Sequence, residues 1–573
     1  MANGMGTLYI ASSGLRNSQN ALNTTANNLA NVDTEGYVRQ QVLFSDKEYN
    51  TFGTAAVSKQ QAGLGLDIGD VVHARDYFLD KAYRAESGRQ AFYESCFTAV
   101  DEIQTYFQEM EGKTFQSALE DFKKAFQELA KGPSDSVRQN LVVQKAGLFL
   151  SRSQSVYEGL KSYQSKINTK VSQDIDKINK LGHKIHELNQ QISKIEAGGI
   201  ETAMDLRDER DLALDQLGAL AKISYKEDYK GVVTVKLEDE YFVDELHTYE
   251  IGKKTDKLTG FITPYWPQLS DTDRDIYVNV FDFNVDISTA LNSDVGELKA
   301  LIMSRGDHWA DYSDIEGKGE QEYLDTTNLS VIIDMQAKLD QMVHNMITAI
   351  NDQLCPNVTG PVGVTYQDAN GNTVNLSDAK VLDTENCARG SDGELPPREL
   401  FVRAGIERYT EVTGSDGKTY YVYNEEDTSD TSYMYSLTSC GVNEELKKIE
   451  TLFPHLKQNG EVDQQLGERL EALWNKDLVG LDPTDPDECN IEEYYQKMIG
   501  GLATVGNVYQ KKAENLAGSV LTIENNRQQV IGVSSDEELQ NMIKFQNAYN
   551  ASSRFMTVIS DMIEHIVTRL GNG

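Results

Sequence analysis

The sequence predicts a mainly α-helical, multidomain chain with inserted β-rich domains, its N- and C-terminal helices paired as an elongated coiled-coil-like shaft. Three observations predict this. Leu8, Leu15, Leu22 and Leu29 recur every seven residues near the N-terminus. Near the C-terminus Met542, Phe545, Tyr549, Ser552, Met556, Ile559, Ile563, Ile566 and Leu570 follow alternating steps of three and four, with Ser552 the one polar member. Between 143 and 195 a third such register is polar only at Ser153, Gln164 and Asp174. A seven-residue apolar repeat makes a narrow stripe on a helix and calls for a partner helix. Neither terminal stripe has a helical hairpin beside it, so the ends are expected to pair with each other or with neighbouring copies of the chain. That is the plan of a polymer subunit.

Taken in order, residues 1–31 read as one helix, closed by the polar stretch from Asn31 to Gly36. Short alternating runs and glycines over 37–72 read as strands and loops. From Asp76 to Ile223 the pattern is helical: Phe115, Leu119, Phe122, Phe126 and Leu129 share a face, Gly132-Pro133 stops that helix, and Ser134 is placed to cap the next. The 143–195 register predicts a rod of roughly 80 Å at 1.5 Å per residue. Val232–Leu237 and Tyr277–Phe283 have strand texture, a helix returns over Val331–Leu354, and β texture resumes over 360–440 with hairpin signals at Asn370-Gly371 and Asp416-Gly417. Residues 480–490 read as a linker, and helix resumes from Glu492. Ser535-Asp-Glu-Glu538 reads as a capping box opening the final helix.

At 573 residues the chain exceeds a single core, and three or four domains are expected. The 54 basic and 90 acidic residues leave a net charge of −36, which repels nucleic acid and anionic membrane surfaces. No apolar run of 18 residues occurs. The first ten residues lack the basic and apolar regions of a cleaved signal, so the chain is expected to be cytoplasmic or exported by a route that cleaves none. Cys96, Cys355, Cys387, Cys440 and Cys489 are far apart and never spaced C-x-x-C, so they read as small buried hydrophobes with free thiols.

Motif by motif, chemistry is not expected. His186-Glu187 begins a zinc-protease helix, but Gln190 stands where the second histidine is needed. His183 and His186 lack a third ligand. The acidic runs at 271–275 and 482–488 lack the central glycine and distal glutamate of a calcium loop. Gly63-Leu-Gly65-Leu-Asp-Ile-Gly69 lacks the spacing of a phosphate loop. No enzyme activity, cofactor or metal is expected.

Ala26-Asn-Asn-Leu-Ala-Asn31-Val-Asp-Thr-Glu-Gly36-Tyr37-Val-Arg39 closely resembles the N-terminal signature of bacterial flagellar rod, hook and hook-associated proteins. Phe115–Leu150 with Arg138, Asp205–Leu217, and Gly296–Leu301 with Arg305 are similar to the shaft and the returning helix of the hook-associated protein 1 family, and Lys544–Arg554 resembles the final helix of the wider axial family. The resemblance implies a structural subunit at the hook–filament junction, secreted to the extracellular flagellum by type III export without a cleaved signal. Implied partners are copies of itself, hook protein, a second junction protein, and an export chaperone on the C-terminal helix. The implied assembly residues are Asn27, Asn28, Asn31, Gly36 and Tyr37, with Leu8, Leu15, Leu22 and Leu29 and the apolar members of the C-terminal stripe from Met542 to Leu570. The expected division is 1–72 with 531–573 as inner terminal helices, 73–223 with 491–530 as shaft, 224–354 as a β-rich insertion, and 355–490 as a variable outer domain. Other readings are a hook or distal-rod protein, disfavoured by the 143–195 helix, or an axial protein whose outer domain is enzymatic or surface-binding.

Overall fold

The computed structural model describes residues 2–46, 50–55, 58–62, 65–108, 114–198, 202–368 and 371–570. The chain is mainly helical, with small antiparallel sheets inserted. Helix α1 (Ala2–Ala30) leads into an extended arm in which Gln40–Asp46 pairs antiparallel with Leu66–His73. The arm delivers the chain to α2 (Tyr77–Gln108), α3 (Phe115–Ala130), α4 (Ser136–Glu196) and α5 (Met204–Leu220).

The axis of the molecule is α4. Its 61 residues correspond to roughly 90 Å at 1.5 Å per residue. The helix opens earlier than the apolar register, and its cap is Asp135 rather than Ser134: the Asp135 carboxylate accepts from the Val137 amide at 3.0 Å. Every register position from Val143 to Ile192 is buried, and Ile195 alone is exposed. The three polar exceptions are buried too. Ser153 donates back to the Phe149 carbonyl (2.9 Å), and Gln164 donates to the Arg305 carbonyl (2.8 Å). Asp174 has one oxygen without a hydrogen-bond partner.

The inserted β material lies along α4. Strands Ile223–Glu227, Val233–Leu237 and Glu240–Val243 form one sheet, and Gly252–Thr255 pairs with Ile262–Tyr265. Gly182 of α4 lets this layer approach, since a Cβ there would sit 2.6 Å from the Phe242 ring. Tyr277–Phe283, expected as a strand, makes only an isolated bridge from Asn279 to Tyr265; it is extended chain that buries Val280 and Phe281.

The chain returns to the shaft at α6 (Glu297–Arg305). Gly296 has φ +97°, a conformation open to glycine, and its amide donates to the Gly88 carbonyl of α2 at 2.9 Å. Arg305 is buried, with its guanidinium on Asn168 Oδ1 (2.6 Å) and the Ile262 carbonyl (3.0 Å). After α7 (Glu320–Asp325), α8 spans Val331–Leu354 with the expected bounds, capped by Ser330.

The outer region holds a four-stranded sheet in the order Asn357–Thr359, Lys380–Leu382, Thr419–Tyr423, Tyr409–Thr413. Its hairpins turn through positive-φ glycines at Gly371 and Gly417. Helices α9 (Glu444–Lys448) and α10 (Gln464–Ala472) follow. Trp474 and Phe401 pack against Phe122 of α3 with ring centroids 5.7 and 6.2 Å apart, so one apolar core runs from α3 and α4 into the outer region. Residues 480–490 form a packed turn, not a free linker. Leu481 and Cys489 are buried, and Asp482 receives Lys338 at 3.0 Å. Helices α11 (Ile491–Ile531), lying on α2, and α12 (Ser535–Leu570) complete the chain.

Burial pushes Asp174 up from the ordinary carboxylate range to about 6, with nearby Glu297 adding to it. A buried acid whose folded value is raised opposes folding once it ionises, so its cost is fully present above pH 6 and relieved as pH falls toward 4. Asp174→Leu should therefore raise stability by about 1–2 kcal/mol at pH 8 and by much less at pH 5. Thermal melts of wild type and variant at the two pH values check this; equal gains at both would contradict it.

Candidate assembly interface

The two ends of the chain meet as an antiparallel pair. Gly14 of α1 faces Ser552 of α12, while Asn28, near the end of α1, donates to Glu538 at 3.2 Å near the start of α12. The seam is not built from the leucine heptad. Its buried residues on α1 are Ala11, Asn17, Ser18, Ala21, Thr25 and Asn28, whereas Leu8, Leu15, Leu22 and Leu29 are half-buried beside it. The reason is distance. A Cβ on Gly14 would lie 2.8 Å from Ser552 Oγ, so the helices run too close for leucine at the contact line. Ser552, the polar exception in the C-terminal stripe, sits at that close approach.

The remainder of the stripe is covered unevenly. Met542, Phe545, Tyr549 and Met556 are half-buried and Ile559 is buried, and Phe545 packs edge-on against Phe44 of the arm at 5.9 Å. Ile563 and Ile566 are exposed; for Leu570 only the backbone is described. A second apolar line on α12, formed by Phe555, Val558 and Met562, is 45–61% exposed.

The amide-rich signature makes a corner. Asn28 clamps the arm, its side-chain amide donating to the Gln40 carbonyl (2.9 Å) and its oxygen accepting from the Gln40 amide (3.1 Å) and the Tyr37 hydroxyl (2.8 Å). Asn31 donates back to the Asn27 carbonyl (3.0 Å) and accepts from Thr34 (3.1 Å), while Asn27 reaches the Tyr37 hydroxyl at 3.4 Å. Gly36 has φ +79°, and a Cβ there would lie 3.2 Å from Leu212 of α5. Burial, with Asp205, Asp208 and Glu538 nearby, holds the Tyr37 hydroxyl well above its usual range, so it remains a donor. These residues therefore fix how the chain leaves α1.

Glu538, expected to cap its own helix, is turned outward from that task. It binds Arg39 at 2.7 Å and Asn28, while the Ser534 hydroxyl accepts from the Glu537 amide at 3.4 Å. The arm is further held by the Arg39 amide on the Ile531 carbonyl (2.9 Å) and by the Val38 amide on Asp208 (2.9 Å).

Asp208 belongs to a line of carboxylates on α5 with spacing three and four. Asp211 binds Arg75 and, at 3.2 Å, Arg84; Asp215 binds Arg84 (2.6 Å) and Arg527 of α11 (2.9 Å); Arg527 also binds Asp80 of α2 (2.8 Å). Arg84, Arg527 and Asp80 are buried. This knot, which joins the arm to three helices, was not identified from the sequence. The signal available there was the Asp208, Asp211, Asp215 edge of α5. Burial, aided by Arg75, pushes His73 down to about 4, and burial pushes Asp208 up to about 7, so the 3.5 Å contact between them is not a stable ion pair at neutral pH.

A cavity of about 390 Å³ lies beside the knot, lined by His73, Arg75, Tyr77, Arg84, Arg207 and Tyr225. Its arginines are committed: Arg75 to Asp80 and Asp211, Arg84 to Asp211 and Asp215, Arg207 to Glu196 and Glu227. On α4, His186 contacts the Asp244 carbonyl (3.3 Å) and Gln190 (2.9 Å), and His183 contacts Glu250 (2.6 Å). Among the described residues no group of three His, Cys, Asp or Glu side chains is arranged to hold a metal, and no helix is long and apolar enough to cross a membrane.

Both ends of the chain match families of flagellar axial proteins: residues 8–37 match the flagella basal body rod protein family, and residues 528–569 match the flagellar basal body rod FlgEFG protein C-terminal family. The class is thus a structural subunit of the bacterial flagellum. Residues 100–365 match the helical domain of flagellar hook-associated protein FlgK. The chain is 25% identical over 581 residues to flagellar hook-associated protein 1 of Bacillus subtilis, covering 97% of this chain and 96% of the relative. It is 19% identical over 576 residues to the protein of that name from Salmonella typhimurium, covering 97% and 98%. The flagellar hook junction protein FlgK from Burkholderia pseudomallei has a solved structure that matches with a TM-score of 0.48 and 12% identity, over 78% of this chain and all of that one. Along almost its whole length the chain is thus similar to flagellar hook-associated protein 1.

Removing one partner of a buried ion pair strands the other charge. Arg527→Met should cost about 2–3 kcal/mol, less than a full uncompensated burial because Asp80 keeps Arg75 and Asp215 keeps Arg84. Denaturant titration measures the loss. A variant within about 0.5 kcal/mol of wild type would show that the knot contributes little.

Proposed function

We propose that this chain is the structural subunit that joins the flagellar hook to the filament, assembling through its terminal helices. The observation that carries the assembly mode is the uncovered apolar line of α12 at Phe555, Val558 and Met562, present although α1 already packs on that helix. Single exposed apolar side chains are ordinary on a protein surface, but a continuous line on one helix is the mark of a surface completed by neighbours. Leu8, Leu15, Leu22, Leu29, Ile563 and Ile566, all partly or largely exposed beside the seam, are assigned to the same contacts, and Asn27, Asn28, Asn31, Gly36 and Tyr37 to the corner that presents them.

The partners proposed are copies of itself, hook protein below, a second junction protein above, and an export chaperone that covers the C-terminal helix beforehand. Secretion by the flagellar type III route, without a cleaved signal, fits this reading. The relatives carry the name hook-associated protein, and the long α4 favours it over a hook or distal-rod protein. The proposed division of labour keeps assembly in 1–72 with 531–573, stiffness in 73–223 with 491–530, and outward elaboration in 224–354 and 355–490. Because the outer region shares the core of α3 and α4, its dispensable part is confined to projecting hairpins such as Thr365–Asn375.

Phe555→Asp combined with Met562→Asp tests the reading. The pair should leave the thermal melt of the purified protein unchanged, since both side chains are exposed. In a strain lacking the native gene it should give hooks without filaments in electron micrographs and filament protein shed into the medium. Restored filaments and motility would overturn the assignment of this surface.

A further inference from the structure

Lysines gather on one face of a chain whose net charge is −36. Lys166, Lys170, Lys177, Lys180 and Lys184 of α4 are all exposed. At 3.6 residues per turn they fall within roughly a quarter turn of one another, over about 27 Å of helix. The carboxylates close by are engaged or enclosed. Asp176 binds Lys253 at 2.8 Å, Glu187 accepts from Gln191 at 3.2 Å, and Asp174 is buried. Lys184 binds Glu209 of α5 at 2.8 Å, and Lys170 binds Glu297 of α6. Lys166, Lys177 and Lys180 have no ion pair among the described residues. Beside Lys166 and Lys170 lies a groove of about 460 Å³, lined also by Glu94, Ile167 and Leu301, which gives an incoming side chain room to reach both lysines.

The opposite charge is concentrated in the outer region. Residues 355–490 carry 26 acidic and 11 basic residues, a net charge of −15. Two of its arginines, Arg403 and Arg408, are buried and do not offset that charge at the surface. Glu407, Glu411, Asp427 and Asp430 are exposed and have no ion pair among the described residues. They lie on adjoining segments: the Asn424 amide donates to the Arg408 carbonyl and the Gly405 amide to the Ser432 carbonyl, each at 2.9 Å. Glu411 sits on Tyr409–Thr413, an edge strand of the outer sheet.

Within one copy these two surfaces stand at different levels of the shaft. The outer region docks on α4 at Gln154, whose amide donates to the Leu437 and Cys440 carbonyls at 3.1 Å. Lys177 lies about 35 Å further along the helix.

We propose that the lysine face of α4 docks the acidic edge of the outer region of a second copy of the chain. This rests on the reading that copies pack together, and it names the surfaces that meet. Copies that each carry −36 repel one another unless basic surface is set against acidic surface, and such matching also fixes register. The contact is between two different patches, so it continues from copy to copy instead of closing on a pair. Exposed ion pairs are individually weak and are screened by salt, so the contact depends on several lysines acting together.

The experiment changes charge and leaves the fold alone. Lys166→Glu, Lys177→Glu and Lys180→Glu, combined, should leave the thermal melt of the purified protein unchanged, since all three side chains are exposed and unpaired. In a strain lacking the native gene, this variant should lower the fraction of hooks bearing filaments roughly tenfold in electron micrographs. Lys166→Arg, Lys177→Arg and Lys180→Arg should keep the wild-type fraction. Adding Glu407→Lys, Glu411→Lys and Asp427→Lys to the glutamate variant should restore it. On isolated wild-type hooks carrying this protein, zero-length carbodiimide coupling and peptide mapping should join Lys177 or Lys180 to carboxylates of residues 407–430, a bond between two copies. That coupling decides the question even if a substituted chain fails to fold. Full retention of filaments by the glutamate variant, failure of a folded charge swap to restore them, or coupling of these lysines to no carboxylate of 407–430 would each overturn the proposal. The Phe555→Asp, Met562→Asp pair separates the two readings: if it detaches filaments while the lysine variant does not, assembly through the terminal helices stands and this contact falls.

Discussion

The structure depends on the acidic edge of α5. Asp208, Asp211 and Asp215 receive the arm through Val38, α2 through Arg84, and α11 through Arg527, while Arg75 at the end of the arm is shared between Asp211 and Asp80. Buried charges are costly unless paired, so once this edge is covered the partners have little freedom of position. The antiparallel α1–α12 pair hangs from it by short connections: Val38 and Arg39 on one side, Ile531 to Ser534 on the other. Helices from the two ends of the 573-residue chain are thereby held side by side.

Length and lateral extension come from α4. A helix this long is supported by what lies along it, and its buried register meets α3, α5, α6, α8 and the inserted strands. The polar residues in that register connect rather than interrupt. Gln164 joins the Arg305 carbonyl to Gln336 of α8, and Arg305 returns to Asn168, so the point where the chain comes back from the insertion is locked by hydrogen bonds. Glycine at 88, 218 and 296 allows α2, α5 and the start of α6 to touch backbone to backbone; a Cβ on Gly88 would lie 2.5 Å from the Gly218 carbonyl oxygen.

Charge opposes this compactness. Net charge is −36, and burial raises Asp208, Glu238, Asp340 and Glu399 to about 7. Their unfolded counterparts ionise near pH 4, so between about pH 4 and 7 the folded chain binds more protons and gains stability as pH falls. His308 acts in the same direction. Asp307 and Asp314 hold it up to about 10, so its contribution is fully present below the unfolded histidine value near 6.5 and is lost only as pH rises through 10.

The sequence by itself determined the helices and their apolar faces. The bounds of α1, α8 and α12 and the burial of the 143–195 register were legible because helical periodicity and turn chemistry are local properties of the chain; the flagellar character of both ends was legible only through the resemblance of Ala26–Arg39 and Lys544–Arg554 to family signatures. Tertiary structure decided the distances and the partners. A heptad of leucines states that a face is apolar, not how close the opposing helix comes, and here Gly14 and Ser552 bring it too close for leucine at the seam. Glu538 looked like a cap because its spacing fits one, and it is drawn to Arg39, some 500 residues away in sequence, because a charged hydrogen bond to arginine is stronger than one to a backbone amide. Residues 480–490 carry the prolines and acids of a linker, yet Lys338 and Tyr494 hold them against α8 and α11. Which distant charge meets which, and at what separation, is fixed only when the helices are already in place.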